Sequence, residues 1–433
     1  GAPAMPDFEY IIADDFDRAW LNFELDLPLE PGPKGEPNPF YVDRPGNPTT
    51  RLERALSRSF HQPPKYFFSG HRGCGKSTEL RRIAVNPAVH VRYWPVHFTI
   101  RDEADVNNLD YKDVLLAIGG KMFRQFQAEG GELDRQLLKE LDAWRGKVER
   151  EVTITSGRVV EGELSGKLSA FFAEAGGKIK LEPRTRDILR QVIERDVTGL
   201  LDVLNKIAIG VQARTKQLPL VLIDDLDKPD LTLARAIFHD HREAMTQPLC
   251  AVVYTVSSAL FFAAAFEAIR DRAYFLPNVR LHPHGKSGER EPQGYQAMRA
   301  FVHKRMQPQL IADEALDEAV RAGGGVFREM GRVMRHAIDR AMEAGREQIA
   351  LEDVQRAEAE IRGEYRRILD QEQRQLLRQV RRDNRLRDPN KAAPLLQLLA
   401  MLEYANDEPW YDAHPALYPL LDEDEGDDDD RAA

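Results

Sequence analysis

Nine residues, Gly70-His71-Arg72-Gly73-Cys74-Gly75-Lys76-Ser77-Thr78, constrain this chain more than any other stretch. The apolar run KYFFSG leads into them and the helically spaced STELRRIA leads out. The segment fits G-x-x-x-x-G-K-[ST] at every position. Its glycines let the backbone curl so that successive N–H groups converge on phosphate oxygens. The following helix adds its positive N-terminal end at the same point. Lys76 supplies a cation for β- and γ-phosphates, and the Ser77 hydroxyl supplies a ligand for magnesium. A glycine-rich turn without function is the bland alternative, and the strand-loop-helix context argues against it. The reading is a site for ATP or GTP with Mg2+, contacted by residues Gly70 to Thr78.

A site of this kind needs a second strand that ends in carboxylates. Leu220 to Ile223 are apolar, and Asp224 and Asp225 follow at once. Asp224 is expected to reach the metal and Asp225 to polarise the attacking water as general base. Asp227 is expected to cap the next helix or to assist. Solvated acids at a strand end are the alternative reading.

Strand-like and helix-like runs alternate from Lys65 to about residue 282, which implies an α/β fold with a parallel sheet flanked by helices. NVRLHP is read as the last strand, preceded by a helix over LFFAAAFEAIRDRA. Residues 1–50 are proline-rich and read as an extended arm and linker, broken by a short helix near Asp14 to Leu25. The phosphate-binding domain is expected over 51–293. Within it, 129–182 is read as an insertion, whose stretch from Glu151 is β-branched and glycine-rich and reads as a hairpin or flexible excursion. Residues 294–360 read as a separate all-helical unit. A long helical stretch over 361–388 opens a third unit that ends at 421, and an acidic tail occupies 422–433.

The chain has 433 residues and a net charge of -10, with 42% hydrophobic and 30% charged residues, which fits a globular protein of two or three domains. That net charge argues against a protein coated in nucleic acid, although residues 361–391 are rich in arginine. No apolar run reaches the roughly 18 residues needed to span a bilayer. The sequence GAPAMPDFEY carries no signal-peptide pattern. Its two cysteines, Cys74 and Cys250, fit a reducing, cytoplasmic setting, because a disulfide at Cys74 would obstruct the loop.

Further candidates follow from position. The strand VVYTVSS ends in hydroxyls, so Ser257 or Ser258 is placed to meet the γ-phosphate or the water, with Thr255 set further back. Arg270 and Arg272 are candidates to act in a neighbouring subunit's site. Arg328 opens a helix after the turn GGGVF and is placed to fold onto the γ-phosphate, with Arg332 one turn on. His239 and His241 have no second ligand pair at metal spacing and read as a surface helix.

Together, GHRGCGKSTEL, LVLIDDLDK, the hydroxyl-ended strand and GGGVFREMGRVMRHA resemble the AAA+ and STAND branches of P-loop ATPases, over about residues 40–360. The helical unit resembles the lid of origin-recognition and initiator-like ATPases, in which a glycine turn precedes a sensor arginine. That resemblance implies ATP hydrolysis with Mg2+ and assigns Arg328 a catalytic role. It also places adenine near Tyr41 and Val42. The chain departs from the commoner AAA+ pattern in having Asp-Asp where Asp-Glu is usual, as many STAND proteins do. It also lacks the usual sensor asparagine on the hydroxyl-ended strand, which weakens the transfer to Ser257, and it carries the 129–182 insertion.

PLLQLLAMLEYANDEPWYDAHPAL reads as helix, strand, turn, strand and resembles a winged helix with ANDEPW at its tip. The implied function is a nucleotide-dependent switch that controls a partner protein, similar to ATPases of bacterial conflict and antiphage systems. The alternative is a DNA-directed ATPase that assembles on duplex. The expected partners are a second copy of the chain or another protein. DNA is the further candidate, and no membrane span is expected.

Overall fold

In the computed structural model the described residues are 8–32, 35–58, 62–156, 183–258, 260, 271–406 and 408–423. In chain order the elements are α1 (Phe16–Asn22), α2 (Thr50–Ser57), β1 (Lys65–Gly70), α3 (Lys76–Val85), α4 (Pro87–His90), β2 (Tyr93–Thr99), α5 (Tyr111–Ala128) and α6 (Arg135–Ser156). Then come α7 (Pro183–Glu194), α8 (Val197–Thr215), β3 (Leu218–Asp224), α9 (Leu231–Arg235), α10 (Arg242–Thr246), β4 (Ala251–Val256) and β5 (Ala273–Leu276). The remainder are α11 (Pro292–His303), α12 (Asp313–Ala322), α13 (Phe327–Glu343), α14 (Leu351–Ile368), α15 (Gln371–Asp383), α16 (Pro389–Gln397), β6 (Met401–Ala405) and β7 (Pro409–Ala413).

β1 and β4 are buried along their whole length, and β3 is buried from Pro219 onward, as continuous apolar strands of a sheet covered on both faces must be. The sheet order is β2-β3-β4-β1-β5. The β1–β4, β2–β3 and β3–β4 pairs are parallel, with Ser69 opposite Val256, Ile223 opposite Tyr254 and Asp224 opposite Thr99. The C-terminal ends of these four strands therefore share one edge, where open α/β sheets bind ligands.

The described residues divide by packing into two bodies: 51–69 with 79–274, and 5–50 with 70–78 and 275–433. The first holds a core in which Phe67, Val221, Ile223 and Tyr254 of the sheet meet Val114, Ile118 and Met122 of α5 and Leu204 and Ile207 of α8. Full burial of each such side chain contributes about 1.5–3 kcal/mol. In the second, Arg305 of the segment after α11 donates to the Phe40 carbonyl at 3.2 Å and lies over the Phe301 ring at 3.7 Å.

Four local readings are corrected. Residues 151–156 continue α6 as helix, because Leu141, Val148 and Val152 recur on one face and enter the core. The rest of the expected excursion, 157–182, lies outside the described residues. The strand after the 261–270 segment is Ala273–Leu276, not NVRLHP: Tyr274 packs edge-on against Tyr66, and the Val279 N–H is taken by Gly325 O at 3.0 Å. The 361–388 helix is broken, since Asp370 and Gln373 form a capping box that starts a new helix. The arm is packed rather than extended, with Phe23 and Phe40 fully buried and Asn22 Nδ2 donating to the carbonyls of Arg305 and Ile11 at 2.6 and 2.9 Å. No described helix is long and apolar enough to cross a membrane.

Candidate functional site

The glycine loop, residues 70–78, belongs to the second body. Lys76 is 6% exposed, and its Nζ donates to the carbonyls of Gly70 and His71 at 2.7 and 2.8 Å. A buried ammonium held by neutral carbonyls would make stronger, charge-assisted bonds to phosphate oxygens. Gly73 and Gly75 have φ of 77° and 98°, a region that a Cβ disfavours. Neither leaves room for one: at Gly73 it would lie 2.2 Å from Arg328 Cβ, and at Gly75 2.8 Å from Arg44 Nη2. The loop then opens directly into the ten-residue α3, which carries Lys76, Ser77 and Thr78 in its first turn. Arg72 is exposed and Cys74 is a buried free thiol.

Arg328, at the start of α13, is held against this loop. Its N–H donates to the Gly73 carbonyl at 3.2 Å. Its guanidinium pairs with Asp26 of the arm. Arg332 pairs with Glu329 and Glu364 instead. Arg44 sits over the Phe327 ring at 4.8 Å and donates to Pro277 O at 3.0 Å. Tyr41 and Val42 are buried, and the Tyr41 carbonyl accepts from Lys304.

His71 is buried at 2% exposure, and its Nε2 accepts the Glu403 N–H at 2.8 Å. Burial, then the Lys76 charge, push this imidazole down to about 3, against a smaller opposing effect of the Leu396 backbone. The ring is therefore neutral at physiological pH. Burial pushes the Glu403 carboxyl up to about 8, against the opposing hydrogen bond with Tyr411.

The first body holds the acidic strand end. Asp224 is 4% exposed, and its Oδ1 accepts the Asp225 N–H at 2.8 Å. Asp225 has a φ of 65°, which turns its side chain out of the strand line. Its Oδ2 then meets Thr99 Oγ1 at 3.0 Å and Arg101 Nε at 2.9 Å, and Lys228 lies 3.7 Å from Oδ1. Thr255 Oγ1 bridges β4 to this turn, donating to Ile223 O at 3.0 Å and accepting from Leu226 N at 2.9 Å. Ser257 and Ser258 are buried just past β4. Arg272 is exposed immediately before β5, and Arg270 lies outside the described residues. His239 bonds its neighbour Asp240 at 2.7 Å, and His241 stacks on Tyr111 at 3.9 Å.

Sequence reasoning missed Thr99, Arg101, Arg44, Asp26 and Glu403. The first two were accessible: β2 ends where β3 ends, so its last residue and those just after it lie beside the acids. The others come from segments 26 or more residues from the motif they touch, and no spacing rule reaches them. The residues present fit their proposed ligands. The loop offers a buried ammonium, glycine-only backbone and a helix N-terminus to a polyphosphate. Ser77 and Asp224 are hard oxygen donors of the kind that magnesium takes alongside phosphate. Among the described residues no group of three or more His, Cys, Asp or Glu could hold a metal by itself.

No family model and no curated protein matches this chain. Among solved structures it is similar to Drosophila ORC bound to DNA, at 12% identity and a TM-score of 0.42 over 97% of this chain and 95% of that one. It is similar also to the Aeropyrum pernix ORC1 protein in complex with DNA, at 14% identity and a TM-score of 0.41 over 89% and 94%. A third is the Thermotoga maritima RuvB Holliday junction branch migration motor, at 11% identity and a TM-score of 0.37 over 88% and 95%. The sheet with its phosphate loop and helical C-terminal part is the α/β P-loop fold expected of the AAA+ proteins that the sequence resembles.

Proposed function

We propose that this chain is a nucleotide-operated switch: an ATPase of the AAA+ or STAND kind that binds ATP with Mg2+, hydrolyses it, and thereby controls a partner protein. One observation carries this reading. The glycine loop that would hold the phosphates is packed onto the lid helix, with Gly73 bonded to the Arg328 backbone. A ligand in the loop therefore acts on the lid directly, which is what a switch requires.

In this reading Lys76 binds the β- and γ-phosphates, Ser77 and Asp224 hold the magnesium, and Asp225 draws the proton of the attacking water. Arg328 leaves Asp26 for the γ-phosphate. Ser257 orients the water or that phosphate, and Tyr41 and Val42 flank adenine. In an assembly of several copies, Arg270 and Arg272 serve the neighbouring site. Antiphage defence is the setting suggested by the sequence resemblance. The test is calorimetry with ATP and Mg2+, together with phosphate release, for the wild type and Lys76→Ala. A wild-type chain that binds no nucleotide would end the proposal.

A DNA-directed ATPase is the second reading, favoured by the arginines of α14 and α15 and by a helix-and-ribbon module of winged-helix character. Several of these cations are already matched by acids of the chain itself: Arg366 by Glu423 and Arg381 by Asp422, each at 2.5 Å. Turnover measured with and without duplex at two salt concentrations separates the two readings.

A further inference from the structure

The ribbon β6–β7 has two strands, and its register sets Glu403 opposite Tyr411. In an antiparallel pair alternate residues turn their N–H and C=O away from the partner strand. Here those residues are Glu403 and Tyr411, and a third strand is replaced by single residues, Asn384 through its backbone carbonyl and its side chain, Asn278 and His71 through their side chains. On one edge Asn384 meets both outward groups of Tyr411: its carbonyl accepts the N–H at 3.1 Å, and its Nδ2 donates to the carbonyl at 2.8 Å. On the other edge Asn278 Nδ2 donates to the Glu403 carbonyl at 3.1 Å, and His71 Nε2 accepts the Glu403 N–H at 2.8 Å. The residue completing the ribbon edge is thus the second residue of the phosphate loop. Its own carbonyl is one of the two that hold the Lys76 ammonium, and it also accepts the Cys74 N–H at 3.2 Å.

We infer that His71 is a positioning residue that couples the phosphate loop to the C-terminal ribbon, so that nucleotide binding and the state of the ribbon control each other. The inference rests on the nucleotide-binding reading of the loop. An anion that draws Lys76 away takes the donor from the Gly70 and His71 carbonyls, and the backbone carrying the imidazole must re-pitch. The ring is fixed at its far end by the Glu403 amide. The ribbon either follows or gives up its edge partner. By reciprocity, whatever binds the ribbon and displaces Glu403 changes nucleotide affinity by the same factor.

The test is hydrogen exchange over residues 398–413 of the full chain, with and without a non-hydrolysable ATP analogue and Mg2+, beside calorimetry of the same samples. The expected result in the wild type is a change of about fivefold or more in ribbon exchange on nucleotide binding. The change should vanish in His71→Phe, which fills the space without an acceptor, and return in His71→Gln, whose side-chain oxygen can take the Glu403 N–H. A purely structural histidine would leave the nucleotide-dependent difference intact while raising exchange equally in both states, and that result overturns the coupling. So does wild-type binding by calorimetry with no change in ribbon exchange, which leaves the nucleotide reading standing. No binding at all overturns the nucleotide reading and the coupling with it.

Discussion

Asp225 and Arg101 form an ion pair, with Oδ2 2.9 Å from Nε, so the carboxylate proposed as the base is engaged by a cation from the end of β2. Half of the Arg101 side chain is exposed, which limits the worth of the pair to at most about 1 kcal/mol. Arg101→Ala should therefore free the carboxylate and raise phosphate release by no more than about fivefold. Asp225→Asn should keep nucleotide affinity and lose about 10²–10⁴ in turnover, since an amide cannot take a proton. Phosphate-release assays check both. A tenfold fall in Arg101→Ala would make that arginine part of the machinery rather than a restraint.

Lys76→Ala removes the cation of the loop. Charge-assisted hydrogen bonds contribute about 1.5–3 kcal/mol each, so ATP affinity should fall by at least about tenfold and up to about 200-fold. Calorimetry measures this directly. Unchanged affinity would show that the loop does not bind phosphate.

Asp26 occupies the guanidinium of Arg328 from the arm, with its own side chain 79% exposed. Asp26→Asn should raise the apparent affinity for ATP a few-fold, within the roughly 1 kcal/mol that an exposed pair supplies. Arg328→Ala should abolish that gain in the double variant. If Asp26→Asn acts equally with and without Arg328, the effect comes from the arm and not from the pair.

Two groups that meet at the ribbon give opposite pH dependences. His71 falls from an unfolded value of 6.5 to about 3, so the unfolded chain binds the extra proton and stability is lost as pH drops from 6.5 towards 3. His97, lowered to about 4 first by burial and then by Arg81 and Lys121, acts in the same sense. Glu403 rises from 4.5 to about 8, so the folded chain holds the extra proton and stability is lost as pH climbs from 4.5 towards 8. Each group contributes at most about 1.4 kcal/mol per pH unit. These three together place the maximum near pH 6.5. Glu403→Gln should flatten the decline from pH 6.5 to 8 in urea titrations. A decline of wild-type steepness in that variant would mean that another group is responsible.

Asp422 and Glu423 pair with Arg381 and Arg366. Deleting residues 422–433 removes the partners of Arg366 and Arg381. It should tighten any binding to duplex and steepen its salt dependence by about one to two phosphate equivalents. Titrations of both chains at two salt concentrations test this. Equal slopes would mean that the two arginines face no phosphate.

The sheet was legible because a buried parallel strand has a simple signature: LPLVLIDD and AVVYTV are continuous apolar runs bounded by polar ends. The turn between β1 and α3 was legible because its glycines mark a backbone that L side chains disfavour, and Gly73 and Gly75 take positive φ there. The helix over 151–156 was misread because its β-branched residues favour strands locally, and only Val152 entering the core decides the matter. The partners of the loop were illegible for a different reason. Asp26, Arg44 and Glu403 are ordinary surface types in sequence, and their roles exist only once distant segments have packed.

The bond from His71 to Glu403 joins residues 332 positions apart. Contacts of such separation form late, because the intervening chain must lose its freedom before they repay it. On a ribosome the chain up to residue 300 already contains GHRGCGKST but neither the helix that meets Gly73 nor the ribbon that meets His71. The 70–78 loop is thus made well before the segments that finish it, and if it holds the proposed nucleotide, affinity reports that α13 and the ribbon have docked.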